Sequence, residues 1–294
     1  MACSLICVQH RPRKRLGQHF LHDRRILSRI VGALDPKPNE TIIEIGPGHG
    51  TLTDMLVSRA SRLIVIELDR DLAAELRGRY EGHPALRVVE GDVLEMRLSE
   101  LSEGAPWSVT GNVPYYITTP ILFHALAAPR PRALVFLVQR EVADRLAAAP
   151  GSDAYGALSV TAQAVARVSH HGRVPAGAFQ PAPSVDSAIV RLTPLSEPLV
   201  EPGEEAAFKA LVQGAFSLRR KQMLRVVRTL FGAEPGAASA LLAACGIKPD
   251  ARPEVLSPET FVALLRAAQR AGLDHRSGVT APRRPRRRDS TAQN

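Results

Sequence analysis

The chain has 294 residues, 45% hydrophobic and only 4% aromatic, and a formal net charge of +9. That length and apolar content suit one sizeable soluble domain plus a smaller one, and no apolar run approaches the roughly 20 residues of a membrane span. Basic charge is concentrated at the two ends: +5 from Arg11 to Arg25, +5 from Arg276 onward and −1 between them. This layout suits a polyanion partner better than a uniformly basic fold would.

Residues 1–15 read as a basic arm, with Arg13, Lys14 and Arg15 as candidate polyanion contacts. The mildly apolar start precedes these basic residues, the reverse of a secretory signal. Cys3, Cys7 and Cys245 make no metal-ligand pattern with nearby histidines, so no metal and a reducing, cytoplasmic location are expected. A helix is predicted over 23–34, ended by Pro36 and Pro38. Thr41-Ile42-Ile43-Glu44-Ile45 reads as a buried strand running straight into Gly46-Pro47-Gly48-His49-Gly50, after which Thr51 is expected to cap a helix through 59. A glycine-rich turn at a helix amino end lets a ligand approach the backbone closely. The spacing is G-x-G-x-G with a proline inside, not G-x-G-x-x-G, which favours a nucleoside over a pyrophosphate.

A second strand, 63–66, ends at Glu67, where an acid can accept both hydroxyls of a ribose. After a helix over 69–80, a third strand, 86–89, leads to Asp92, placed to bond an adenine amino group. Singly, a surface acid and a turn aspartate would look the same. A fourth strand, 107–110, then delivers Gly111-Asn112-Val113-Pro114-Tyr115, followed by Thr118-Thr119-Pro120 as the cap and start of a helix over 120–128. Four polar features at four successive strand ends converge on one rim, where open α/β sheets bind ligands.

The Asn-x-Pro-aromatic loop suits methylation of an exocyclic amino group on a nucleobase. Such a nitrogen is a poor nucleophile because its lone pair is delocalised into the ring. Two acceptors on its N–H bonds would localise that pair: the Asn112 side-chain oxygen and the C=O of Val113, held extended by Pro114. Tyr115 would stack on the base. An ordinary turn uses the same residue types.

Further on, a fifth strand is predicted over 133–138, helices over 139–148 and 157–167, and a closing strand pair over 169–174 and 185–192. Phe179, in the Pro-rich loop of that pair, is either the second face of a base sandwich with Tyr115 or a loop anchor in the core. Residues 195–203 read as a linker, and 204–273 as a helical domain with helices at 204–217, 221–231, 237–245 and 258–271. There, Arg219, Arg220 and Lys221 form a basic cluster suited to phosphate contacts, or simply a solvated face. Residues 274–294 form an Arg-rich tail expected to be disordered.

Seven segments in order make the chain resemble the KsgA-type ribosomal RNA adenine N6,N6-dimethyltransferases: Leu16–Leu21, Glu44–Thr53, Val65–Asp69, Gly111–Tyr115, Ala154–Val160, Phe179–Ala188 and Ala215–Lys221. The resemblance implies an α/β, Rossmann-like class I S-adenosylmethionine-dependent methyltransferase domain over 16–194 with a small all-helical C-terminal domain. It implies S-adenosylmethionine as donor, S-adenosylhomocysteine as product, and two adjacent adenines in the 3′-terminal hairpin of 16S rRNA, within a 30S precursor particle, as acceptors. Carried over by position, the cofactor contacts are His19, Leu21, Gly46, Glu67, Asp92 and Asn112; at His19 the family more often has Asn. A cytoplasmic monomer, away from membranes, is expected. Erm-type 23S rRNA methyltransferases share the same loop and are the nearest alternative. An RNA-binding assembly factor with secondary catalysis is another, and a nicotinamide-dependent dehydrogenase is disfavoured by the glycine spacing.

Overall fold

A computed structural model describes residues 19–273, so Arg13, Lys14, Arg15 and the 274–294 tail lie outside the described residues. These residues form two compact units. One holds the residues up to 148 together with 162–198; the other holds 149–161 together with those from 199 onward.

The first unit is built on a seven-stranded sheet. Five parallel strands, β2 (Thr41–Ile45), β3 (Arg62–Glu67), β4 (Leu86–Glu90), β5 (Trp107–Gly111) and β6 (Ala133–Gln139), lie in the order β4-β3-β2-β5-β6. Two antiparallel strands complete it: β9 (Ser187–Pro194) pairs with β6, and β7 (Ala166–Val174) pairs with β9 on the outside. The predicted α/β, Rossmann-like class is therefore found. The strand order reverses between β2 and β5, the place where such sheets open a ligand crevice.

Helix α1 (Arg24–Leu34) begins where the Asp23 carboxylate accepts the N–H groups of Arg25 (2.8 Å) and Ile26. Its buried stripe of Ile26, Leu27, Ile30, Val31 and Leu34 recurs at helical spacing and packs on β6, β7 and β9. At the amino ends of the strands, buried Glu40 accepts from Arg132 Nε (2.8 Å), from Arg132 Nη2 (2.9 Å) and from the Ser108 hydroxyl. Arg132 also donates to the carbonyls of Leu34 and Asp35, both at 3.0 Å, joining three connections through one guanidinium.

Several predicted boundaries move, each for a visible reason. Thr51 does not cap a helix: its hydroxyl donates to the Leu21 carbonyl (3.0 Å), and the short helix α2 (Thr53–Leu56) starts without a side-chain cap. Helix α5 is Thr118–Ala125, so Pro120 lies inside its first turn, and the Thr118 hydroxyl bonds the Pro114 carbonyl (3.1 Å). The predicted helix over 157–167 stops at Gln163 in α7 (Ala157–Gln163), because Ala166 onward is drawn into the ladder with β9. A further two-stranded sheet pairs β1 (Phe20–Leu21) with β8 (Phe179–Gln180).

The second unit is helical: α8 (Glu205–Ser217), α9 (Met223–Phe231), α10 (Pro235–Ala244) and α11 (Pro258–Arg270). On α9 the stripe Met223, Val226, Val227, Leu230 and Phe231 is buried, and Gly232 ends the helix at φ 66°. Residues 149–161 belong to this unit and not, as expected, to the α/β domain. Tyr155 is 1% exposed, its hydroxyl donates to the Leu256 carbonyl (2.8 Å), and its ring meets the edge of Phe216. Burying that large ring outweighs chain continuity.

Candidate active site

Pairing register places the predicted site residues together. Ile45 is level with Ile66 on one side and with Gly111 on the other, while Glu67 is level with Glu90. The glycine loop, Glu67, Asp92 and Asn112 therefore leave the sheet along one row. Close approach at the switch point is built in: a Cβ on Gly111 would stand 2.3 Å from the Ile45 carbonyl oxygen. Gly48, at φ 58°, lies against the Phe20 ring, where a Cβ would come within 2.8 Å.

A cavity of about 200 Å³ opens on this row. His19 and Leu21 wall one side, with Gly46, Glu67, Asp92 and Asn112 along the strand ends and Val113, Pro114 and Tyr115 on the loop. All six cofactor positions expected from the resemblance thus share one cavity with the Asn112–Tyr115 loop.

Asn112 donates from Nδ2 to the His19 carbonyl (2.8 Å). That bond turns Oδ1 outward as an acceptor, and Oδ1 takes no hydrogen bond among the described residues. The Pro114 carbonyl is used by Ile117 N–H and the Thr118 hydroxyl, both at 3.1 Å. The Val113 carbonyl, by contrast, accepts none among the described residues, while its side chain is buried. Tyr115 is fixed through its hydroxyl, 2.5 Å from that of Ser187 on β9, and burial pushes its pKa up. The His19 ring lies nearly parallel to the Tyr115 ring, with centroids 5.9 Å apart and planes at 21°, and its Nδ1 is 2.8 Å from the Pro181 carbonyl.

Glu67 is buried and accepts from Gly48 N–H (3.1 Å) and Asp69 N–H (2.9 Å), tying the glycine loop to the end of β3. Burial raises its pKa against those two bonds. Asp92 accepts from Leu94 N–H (2.9 Å) and lines the cavity.

Glu44 is the residue that the sequence reading passed over, as one position of a buried strand. It lines the cavity at 1% exposure, with the Thr53 hydroxyl (2.7 Å) on one oxygen, and burial pushes its pKa up to about 8. An acid among the isoleucines of a fully buried strand was the signal. Three carboxyl groups, Glu44, Glu67 and Asp92, line the cavity; among the described residues no lysine or arginine does.

Phe179 is placed differently from the sandwich expectation. It is 2% exposed, sits in the apolar cluster with Leu21, Val174 and Ile189, and does not line the cavity. Its pairing with Leu21 sends the ring inward, and alternation sends Gln180 to the cavity. In the helical unit Arg219, Arg220 and Lys221 are exposed, with Arg219 paired to Glu254 at 3.2 Å.

Comparison with known proteins agrees with this geometry. The model of the family described as "Ribosomal RNA adenine dimethylase" matches residues 9–269. The chain belongs to the ribosomal RNA adenine dimethylase family. Among its relatives, a "Ribosomal RNA small subunit methyltransferase A" from Geobacter metallireducens is 44% identical over 268 residues, covering 89% of this chain and 97% of its own. One from Leptothrix cholodnii with the same description is 45% identical, covering 89% and 94%. Among solved structures, a dimethyladenosine transferase from Plasmodium falciparum aligns with a TM-score of 0.77 at 25% identity, covering 87% of this chain and all of that one. The 23S rRNA methyltransferase ErmE aligns at 0.67 and 27%, covering 85% and 99%. This family member is thus an rRNA methyltransferase with a class I methyltransferase fold. Among the described residues no helix is long and apolar enough to cross a membrane.

Proposed function

We propose that this enzyme dimethylates N6 of two adjacent adenines in the 3′-terminal hairpin of 16S rRNA, acting as a cytoplasmic monomer on a 30S precursor particle with S-adenosylmethionine as donor. The observation that carries the chemistry is the pair of acceptors at the end of β5: Asn112 Oδ1, oriented by the His19 carbonyl, and the Val113 C=O. The small-subunit assignment rests on the printed descriptions of relatives at 44–45% identity.

The cavity fits the donor. A cradle that presents Glu67 and Asp92 and, among the described residues, no lysine or arginine suits a cationic nucleoside better than a pyrophosphate. Glu67 and Asp92 would hold its ribose and adenine, with Gly46, Leu21 and His19 lining the rest. When bound, S-adenosylmethionine supplies an electrophilic methyl group on a sulfonium.

The chain's own residues do the remainder. In the first transfer Asn112 and Val113 accept the two N6–H bonds and draw the nitrogen toward tetrahedral geometry, freeing its lone pair for in-line attack; in the second, one of them accepts the single N–H that remains. Tyr115 holds the base flat, and Ser187 holds Tyr115. Positioning supplies most of the acceleration. A strong general base is unnecessary, because the proton becomes acidic only as the new N–C bond forms. The base must leave its stack, at a cost of a few kcal/mol that is smaller in a loop. Arg219, Arg220 and Lys221, with Arg13, Lys14 and Arg15, would contact RNA phosphates.

The test supplies labelled S-adenosylmethionine with unmethylated 30S or 50S precursor particles and maps the product by reverse-transcription stops. Two stops at neighbouring adenines near the 16S 3′ end, lost in Asn112→Ala, are expected. A stop in 23S rRNA would overturn the substrate assignment, and transfer surviving Asn112→Ala would overturn the mechanism.

A further inference from the structure

We propose that the exposed flank of α1 and the adjoining face of β7 and β9 form a phosphate-binding site for the RNA backbone, with Arg29 and Arg191 as its anchors. The inference rests on the family's rRNA-methylating activity and does not depend on which rRNA is modified.

The arginines of the α/β unit are held in two ways. Arg62, Arg79, Arg132 and Arg173 each meet a carboxylate, on Glu103, Asp54, Glu40 and Asp186. Arg29 and Arg191 are held as firmly, but by neutral acceptors. Arg29 reaches from α1 to a bulge in β7, where Nη2 donates to the His171 carbonyl (2.8 Å) and Nη1 to that of Arg173 (3.3 Å). Its guanidinium rests over Gly172, in space that a side chain would fill: a Cβ there would stand 2.1 Å from Nη2. Arg191, on β9, donates from Nη1 to the Ala33 carbonyl (2.8 Å) and from Nε to the Thr193 hydroxyl (3.3 Å). Neither has a carboxylate partner among the described residues. A guanidinium carries its donors in a rigid fork, so fixing one edge on a carbonyl leaves donors and the whole charge for an oxyanion.

Charge of one sign gathers around this pair. Arg24 and Arg25 are exposed on α1, Arg25 one turn before Arg29, and Arg167 is exposed on β7. Register puts Ser169 level with Arg191 and Arg167 level with Thr193. Burial, and then the positive field of Arg191, His170 and Arg29, lowers the pKa of His171. That field is what a phosphate would neutralise. The acids in the neighbourhood are engaged: Asp186 by Arg173, Asp144 by Arg140 (3.8 Å) and His170 (3.9 Å), and Asp35, which feels Arg191, by Lys37 (2.5 Å). The row of cations also starts at the cavity. His22 and Leu27 line it, and Arg25 and Arg29 follow on the exposed side of the same helix. A row of cations leading away from a base site fits a polyanionic strand better than a single small anion.

Arg29→Gln and Arg191→Gln remove the charge and keep a polar side chain. Arg29→Lys keeps the charge without the fork, and Arg62→Gln, which removes a carboxylate-paired charge, is the control. Binding of the rRNA that the wild type methylates, freed of ribosomal proteins, is measured over a series of KCl concentrations. Each Gln variant should lower the slope of log affinity against log salt by about 1 and the double variant by about 2, with Arg62→Gln and Arg29→Lys near the wild-type slope. On precursor particles KM should rise about 3- to 10-fold in each Gln variant, with kcat and S-adenosylmethionine affinity within about twofold of wild type. Wild-type slopes in both Gln variants, or an equal fall in Arg62→Gln, overturn the proposal. So does Arg29→Lys failing as badly as Arg29→Gln, which would mean that the bonds to β7 only hold the fold. A loss on particles that is absent with protein-free RNA would assign the patch to a ribosomal protein instead. Which rRNA the wild type methylates is read separately, so failure of the 16S assignment and failure of this site are distinct results.

Discussion

Asn112 Nδ2 lies 2.8 Å from the carbonyl oxygen of His19, and this one bond decides which end of the amide faces the cavity. Asn112→Asp is nearly isosteric but sets a carboxylate oxygen against that carbonyl, so the side chain must turn away. Methyl transfer is expected to fall at least about 100-fold. Single-turnover transfer alongside a thermal melt checks this; an active Asn112→Asp enzyme would show that the bond does not orient the acceptor.

Tyr115 and Ser187 divide a role between ring and anchor. Tyr115→Phe keeps the stacking face and loses the bond to β9, so a loss of only a few-fold is expected, matched by Ser187→Ala. Each loses a hydrogen bond worth about 1 kcal/mol. Tyr115→Ala removes the face and should cost far more, about 100-fold in kcat/KM. If Tyr115→Phe abolished transfer, the hydroxyl would have a part in the chemistry.

Glu44 gives the protein a pH dependence of definite sign. Its folded pKa is raised from 4.5 to about 8, chiefly by burial, against the Thr53 bond. The stability it contributes is full below its unfolded value of 4.5 and is lost as pH rises to about 8. Buried Glu67 acts in the same direction. Glu44→Gln, which cannot ionise, is expected to flatten much of that decline in a series of melts from pH 5 to pH 9. Identical slopes in the variant and the wild type would refute the assignment.

Glu40 works in the opposite sense. Burial would raise its pKa, but the Arg132 guanidinium, the Ser108 hydroxyl and the Lys37 N–H together hold it below the usual value. Its contribution is present above pH 4.5 and lost as pH falls below it. Arg132→Met strands a buried carboxylate, and urea denaturation at pH 7 should show a loss of about 3–5 kcal/mol. The double variant with Glu40→Gln should recover part of it.

The parallel strands were legible because each is a short apolar run ending in a distinctive loop, and the strand-end acids followed from them. Contacts between residues far apart in the chain were not. Two residues at each end make the β1–β8 pair, too few to show a period, and the direction of Phe179 is a one-residue question of register within it. Thr51 looked like a helix cap because its other partner, the Leu21 carbonyl, lies 30 residues earlier. Tyr155 carried no local sign that its segment packs with α8 and the turn before α11.

The place of β9 in the sheet has a consequence for how the protein is made. It is the last strand to emerge during synthesis, yet it inserts between two that emerged earlier, β6 and β7. Until residue 194 is out, the apolar edge of β6 has no partner in the native sheet, an opening that invites wrong pairing or a chaperone. Because Ser187 also arrives on β9, Tyr115 has no anchor before then. A nascent chain can thus hold its glycine loop and all four strand ends in place while Tyr115 still lacks its bond to the sheet, which forms only with the final strand of the described residues.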